Sequence, residues 1–180
     1  NAGLEHIRQS PGDAGVVRKI VCRPDVNERR ELAQARLELA SGLVGDNWLR
    51  KGYRKTADGS AHPDMQLTLM NAHAIALIAG SEDRWALAGD QFFIDLDLSH
   101  ENLPPGTQLQ VGEASIEVTA EPHLGCSKFA ERYGREAMLF VNSETGKSLN
   151  LRGINARVVI PGNVLSGAKI SKLAPSRLRE

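Results

Sequence analysis

The chain has 180 residues, 41% of them apolar and 24% charged, and its 22 Lys and Arg balance 22 Asp and Glu to a formal charge of zero. That is the make-up of one soluble domain, long enough to bury a core without staples. Zero net charge leaves no single-signed field to gather nucleic acid or an anionic membrane, so an anionic ligand must be held by a local group of cations.

No run approaches the roughly 18 apolar residues of a membrane span. The opening NAGLEHIRQSPGDAG has no cationic segment followed by an apolar one, so it is not expected to be a secretory signal. Asn rather than Met at position 1 points to a start that has been cut or replaced. Residues 1–14 read as a polar, loop-like tail broken by Pro11 and Gly12, residues 15–173 as a single domain, and 174–180 as a second tail.

GVVRKIVCR (Gly15–Arg23) is β-branched and short, a strand. NERRELAQARLELASG is predicted to be a helix capped by Asn27. Leu32, Ala35, Leu39 and Ala40 approximate its apolar face, and Gly42 forms its C-terminal cap. Arg50 to Asp64 is polar and rich in turn formers, a long loop of the kind that carries function. MQLTLM follows as a strand, and NAHAIALIAG as a short helix opened by Asn71 and closed by Gly80.

The second half is dense in strand and turn signals. QFFIDLDLS alternates apolar and acidic residues, and TQLQVGEASIEVTA is two alternating runs joined at Gly112-Glu113, a hairpin. INARVVIPG and GAKISKL add two strands. Short strands divided by Gly and Pro, with only short helices between them, predict a mostly β fold: a closed or nearly closed barrel rather than βαβ repeats.

One stretch concentrates chemistry. In EPHLGCSKFAERYG, Pro122 and Gly125 precede a helical pattern in which Phe129 and Tyr133 share one face, Lys128 and Arg132 another, and Gly134 ends it. Cys126 is then the first residue or cap of that helix, where free amides and the helix dipole favour a thiolate, helped by Lys128, Arg132 and His123. A thiolate is the form that ligates a soft metal or accepts sulfur. The alternative is a thiol that only fills space. Cys22, inside an apolar strand, reads as structural.

Other signals are weaker. His123 and Cys126 have a spacing that suits zinc, but no second ligand pair accompanies them. Asp95 and Asp97 are read first as the solvated face of a strand and only second as paired carboxylates. His6, His62, His73 and His100 form no cluster, and surface or capping roles are expected for each. Two cysteines make no disulfide framework, so a reducing, cytoplasmic setting is expected.

GLVGD (Gly42–Asp46), MQLTLM (Met65–Met70), Ala88–Thr119, PHLGCSKF (Pro122–Phe129) and LRGINARVVIPGNV (Leu151–Val164) occur in that order. Together they resemble the MOSC domain, named for the C-terminal domain of molybdenum-cofactor sulfurases, and more narrowly its stand-alone bacterial type. The resemblance covers nearly everything from Val16 to Lys172 and implies a strand-rich barrel. It implies binding of the molybdenum cofactor (molybdopterin), carriage of sulfur for metal–sulfur chemistry, or reduction of N-hydroxylated compounds. The family's characteristic cysteine corresponds to Cys126, a molybdenum ligand in reducing members and a persulfide carrier in sulfurase-type members.

Both roles need basic donors beside the thiol for the cofactor's phosphate and oxo groups, and Arg54, Lys55, Lys128, Arg132, Arg152 and Arg157 are the candidates. Asp46 and Asp90, each after a Gly, fit turns first and the orientation of basic side chains second. The candidate sources of a proton are His123 and solvent. The chain is too short to contain an aminotransferase-like part, so pyridoxal phosphate is not expected. The implied partners are a cysteine desulfurase or a redox protein, with a small-molecule substrate and neither nucleic acid nor membrane. A non-catalytic barrel acting as a binding module is the remaining alternative.

Overall fold

A computed structural model describes residues 2–175. In chain order the elements are α1 (Ala2–Arg8), β1 (Ala14–Cys22), β2 (Arg30–Leu32), β3 (Gln34–Glu38), β4 (Gly42–Leu43) and α2 (Trp48–Lys51). A 3-10 turn (Pro63–Met65) leads into β5 (Leu67–Asn71) and α3 (Ala72–Ala79), and a 3-10 stretch (Glu82–Ala88) into β6 (Phe92–Asp95). The hairpin β7 (Gln108–Val111) and β8 (Ala114–Val118) precedes α4 (Ser127–Tyr133), α5 (Arg135–Asn142) and α6 (Glu144–Ser148). The chain ends in β9 (Ile154–Ile160), β10 (Gly162–Leu165) and β11 (Lys169–Lys172).

Seven strands close into a mixed barrel in the order β11, β7, β8, β9, β5, β6 and β1, with β1 returning to pair with β11. Only β5 and β6 run parallel; the other barrel pairings are antiparallel. Closure removes the exposed sheet edges that an open array would leave. β2 extends β1 on its far side, and β10, β3 and β4 form a separate three-stranded sheet.

Two apolar clusters result. One fills the barrel with Val17, Ile20, Leu67, Leu69, Phe92, Leu109 and Ile116 among others. The second lies between the barrel wall and the helices and contains Met70, Ile75, Trp85, Phe93 and Phe129. β5 is buried at all five positions because it faces both, which is why MQLTLM reads as a continuous apolar run rather than an alternating one.

The barrel, the hairpin with Gly112 at φ 54°, and the helix capped by Asn71 Oδ1 on Ala74 N at 2.9 Å agree with the sequence reading. Two parts differ from it. The segment expected to be a helix after Asn27 is β2 and β3 instead. Ala35 and Leu37 are buried at period two, whereas Leu39, assigned to the apolar face, is 56% exposed. The strand β10, which pairs with β3 from Gly162↔Leu37 to Leu165↔Gln34, supplies the partner that overrides helix propensity there. Asn27 takes φ 62° in a turn, and Gly42, at φ 69°, begins β4 rather than capping a helix.

Within the expected N-terminal tail, Ala2–Arg8 form α1, whose Ile7 is buried in the second cluster. The expected C-terminal tail falls partly on residues 176–180, outside the described residues. Among the described residues no helix is long and apolar enough to cross a membrane.

Candidate functional site

Cys126 is the N-cap of α4, as its sequence context predicts: its backbone is extended (φ −119°), and Ala130 N donates to its carbonyl at 3.0 Å. Its thiol is exposed and makes no capping hydrogen bond. The turn before it is clamped from α5. Gly125 N donates to Asn142 Oδ1 at 2.8 Å, and Asn142 Nδ2 donates to Gly125 O at 2.9 Å, so both backbone polar groups of Gly125 are held by one side chain. Gly125 itself is needed for close packing, because a Cβ there would meet Val141 Cγ2 at 2.9 Å.

Cys126 lines a cleft of about 660 Å³ with Lys128, His123, Arg23, Lys51, Arg54 and Tyr53 in its walls. The polar stretch after Arg50 does form one side of this cleft, through Tyr53, Arg54 and His62. A smaller cleft of about 170 Å³ adjoins it, sharing Arg23, Asn47, Lys51, His123 and Lys128. Its lining holds Arg23, Arg29, Lys51, Lys128, Arg132 and Arg152 against one carboxylate, Asp25.

Two of those cations are neutralised from behind. Buried Asp46 accepts from Arg23 Nη2 at 2.7 Å through Oδ2 and from Nε at 3.0 Å through Oδ1. Buried Asp90 accepts from Arg152 Nη1 at 2.6 Å, while Arg152 Nη2 donates to Ala88 O at 3.0 Å. The guanidinium of Arg152 also lies 4.9 Å over the Phe129 ring. Asp46 serves a turn as well, accepting from Trp48 N at 3.1 Å, so both roles expected of it are present.

The other four, Arg29, Lys51, Lys128 and Arg132, make no ion pair with a carboxylate among the described residues. Burial, followed by neighbouring Arg132 and Arg23, lowers the pKa of Arg29. Burial, followed by Arg23 and Lys128, does the same to Lys51. Besides burial, Arg132 thus opposes the charge on Arg29, and Lys128 that on Lys51, across one small concavity.

His123 borders both clefts, and its Nε2 lies 2.9 Å from Asp90 Oδ1. Burial would raise the Asp90 carboxyl, but Arg152 and His123 outweigh it and hold the pKa down at about 2. Burial and then Arg152 lower His123, against the pull of Asp90. The histidine is therefore neutral at pH 7, and facing an ionised carboxylate it carries its proton on Nε2, leaving Nδ1 as an acceptor. Tyr133 is no acid–base group here, since burial pushes its pKa to about 12 and its hydroxyl donates to Arg84 O at 2.7 Å.

Lys128, Arg132, Arg152, Arg54, His123 and Cys126 thus come together around the paired clefts. Lys55 lies exposed, outside the lining of either cleft. Arg157 also lies outside them, on β9, held by Glu117 at 2.7 Å and Asp64 at 3.7 Å. Sequence reasoning missed Arg23, Arg29, Lys51 and Asn142. The one signal pointing towards Arg23 was Asp46, a buried-side carboxylate that needed a basic partner.

The zinc spacing of His123 and Cys126 has no support. No three His, Cys, Asp or Glu side chains gather among the described residues, so no further ligand joins these two. Cys22 is buried, with its pKa raised by burial and by Asp46, in keeping with a structural thiol. Asp95 and Asp97 do not act together: Asp95 accepts from His73 Nε2 at 3.0 Å, and Asp97 caps Ser99 N at 2.9 Å. His62 has a capping role, accepting from Asp64 N at 3.1 Å.

Neither a family model nor a curated protein matches the sequence. Solved structures do match the fold. The YuaD protein from Bacillus subtilis is 14% identical, with 87% of this chain and 94% of that one covered at a TM-score of 0.56. YiiM from Escherichia coli is 21% identical over 88% and 70% of the two chains, at 0.55. YiiM from Geobacillus stearothermophilus is 15% identical over 91% and 74%, also at 0.55. YuaD and YiiM are MOSC-domain proteins, and the fold of this chain is the MOSC fold.

Proposed function

We propose that this protein binds the molybdenum cofactor, with the cofactor's phosphate in the smaller cleft and the thiolate of Cys126 beside the metal. The observation that carries this reading is the set of four cations, Arg29, Lys51, Lys128 and Arg132, without carboxylate partners among the described residues, around a space of about 170 Å³. Such a donor set fits a phosphate, which arginine grips in pairs of hydrogen bonds and lysine as a point charge. The cofactor supplies a metal that exchanges electrons in pairs.

The protein's own groups have separable tasks. Arg23 and Arg152, held by Asp46 and Asp90, provide fixed donors, and the unpaired cations provide the net charge. His123 offers a neutral ring whose orientation Asp90 sets. Reduction of an N-hydroxylated small molecule is the activity this arrangement would serve, with electrons from a separate redox protein.

Metal and pterin analysis of protein produced in a cofactor-making host tests the reading, together with phosphate titration. Bound molybdenum lost in Cys126→Ser, and phosphate affinity reduced about tenfold or more in Lys51→Gln/Lys128→Gln, are expected for the loss of charge-assisted hydrogen bonds. A metal-free protein that neither reconstitutes nor binds phosphate would falsify it.

Sulfur carriage is a second reading, favoured by the exposure of Cys126 at the mouth of the larger cleft. The Cys126 thiolate would attack the outer sulfur of a donor persulfide on a cysteine desulfurase, forming one S–S bond as the donor thiolate leaves. A mass gain of about 32 Da on Cys126, reversed by a thiol, is the expected signature. No adduct on a thiol that alkylates readily would remove this reading. A reducing compartment such as the cytoplasm, where both cysteines stay free, suits either one.

A further inference from the structure

Gly52, Tyr53 and Arg54 line the cleft that holds Cys126, and they begin a loop whose hydrogen bonds set it apart from the barrel. Tyr53 N donates to Gly59 O, Gly59 N to Thr56 O and Thr56 N to Tyr53 O, each at 3.2 Å. The Thr56 hydroxyl lies 2.7 Å from Tyr53 O and 2.6 Å from Ser60 O, and Ser60 N donates to Asp58 Oδ1 at 3.0 Å. Among the described residues, every hydrogen bond made by residues 53–60 ends within that same segment. A compact loop with its ends together and its bonds satisfied internally can swing as one piece without breaking them.

Both ends of the loop are anchored. Gly52 N donates to Trp48 O at 3.3 Å, at the end of α2. Beyond the loop, Thr119 Oγ1 donates to Asp64 O at 2.5 Å, and His62 Nε2 lies 3.3 Å from Glu121 Oε1. The hinge positions left between these anchors are Gly52, at φ 65°, and residues 60–61. A Cβ on Gly52 would collide with the Gly59 carbonyl oxygen, so the neck of the loop closes only with glycine there.

The loop carries an unengaged charge. Arg54 is exposed, and its side chain makes no ion pair or hydrogen bond among the described residues. Arg23, Lys51 and Lys128 line the same cleft. With no anion between them, like charges oppose an inward movement of Arg54. An anion held by those cations reverses the sign of the force, and so favours the closed position.

We propose that residues 53–61 are a lid, drawn shut through Arg54 by an anion bound in the clefts and covering the Cys126 thiol when closed. The inference rests on the reading of the clefts as an anion site and adds the step that encloses the ligand.

Inorganic phosphate added to the full chain tests it, with sodium chloride at matched ionic strength as the control. Phosphate slows both tryptic cleavage after Lys55 and iodoacetamide labelling of Cys126 by about tenfold, as expected when the open form becomes a minor state. Chloride slows neither. Arg54→Gln still binds phosphate in calorimetry, about fivefold more weakly at most, the worth of one exposed charge pair. Neither reaction is slowed in that variant. Phosphate that binds the parent protein without slowing both reactions overturns the lid and leaves the anion site standing. Slowing that persists in Arg54→Gln also overturns it, by assigning the protection to phosphate itself. A parent protein that binds no phosphate overturns the lid and the anion site together.

Discussion

Asp90 and Arg152 are bound at 2.6 Å with both side chains buried, and this pair joins the turn between α6 and β9 to the segment leading into β6. A buried pair broken from one side leaves an uncompensated charge. Asp90→Asn keeps the shape and removes the charge, so it should lower stability by about 3–5 kcal/mol. Urea denaturation checks this through a lower midpoint at unchanged slope. An unchanged midpoint would mean that the pair is solvated in solution.

The same carboxylate sets an acid limit on the fold. The folded pKa of Asp90, about 2, lies below its ordinary 3.8, so its contribution is complete above pH 3.8 and is lost as pH falls towards 2. His123 is also depressed, below its ordinary 6.5, because the folded site resists the imidazolium. The unfolded chain takes up that proton first, so stability begins to fall below about pH 6.5. Denaturation midpoints measured from pH 8 to pH 3 should show this earlier decline in the parent protein and not in His123→Gln.

The two thiols should behave oppositely. Cys126 is exposed and Cys22 buried, with the Cys22 pKa raised. Iodoacetamide at neutral pH should label one thiol in the native protein and both in denaturant, and none in native Cys126→Ser. Because the Cys126 side chain makes no capping bond, that substitution should change stability by no more than about 0.5 kcal/mol. A larger loss would show the thiol to be a packing residue.

The turn that presents Cys126 depends on Asn142, whose amide satisfies both Gly125 N and Gly125 O. Asn142→Ala strands both groups in a partly buried setting and should cost about 1–3 kcal/mol. Hydrogen exchange at the Gly125 amide should accelerate selectively. Equal protection in the variant and the parent would assign the turn's rigidity to other contacts.

Local pattern served well where local contacts decide the outcome. The Gly112 hairpin, the Asn71-capped helix and the Cys126 cap before SKFAERY depend on turn residues and on periodicities within a few positions, and each is where the pattern puts it. Residues 30–38 failed the same approach. Glu, Arg, Leu and Ala there favour a helix, but β2 was won by pairing with β1, and β3 by pairing with β10, a strand far along the chain whose position no local window contains. The short helix α1 was missed for a related reason: what holds it is Ile7 in a cluster built from distant elements.

The sequence by itself determined a strand-rich barrel and a thiol at a helix start flanked by basic residues, because alternation, turn chemistry and caps are written within short stretches. Only the tertiary structure decided which cations meet. Arg23 at the end of β1, Arg29 ahead of β2, Lys51 in α2, and Lys128 and Arg132 in α4 come from elements that barrel closure brings to one place. Their charges act through space over a few ångströms, a distance unrelated to their separation along the chain. The same closure buried Asp46 and Asp90 behind Arg23 and Arg152, turning two glycine-flanked acids into the supports of the site.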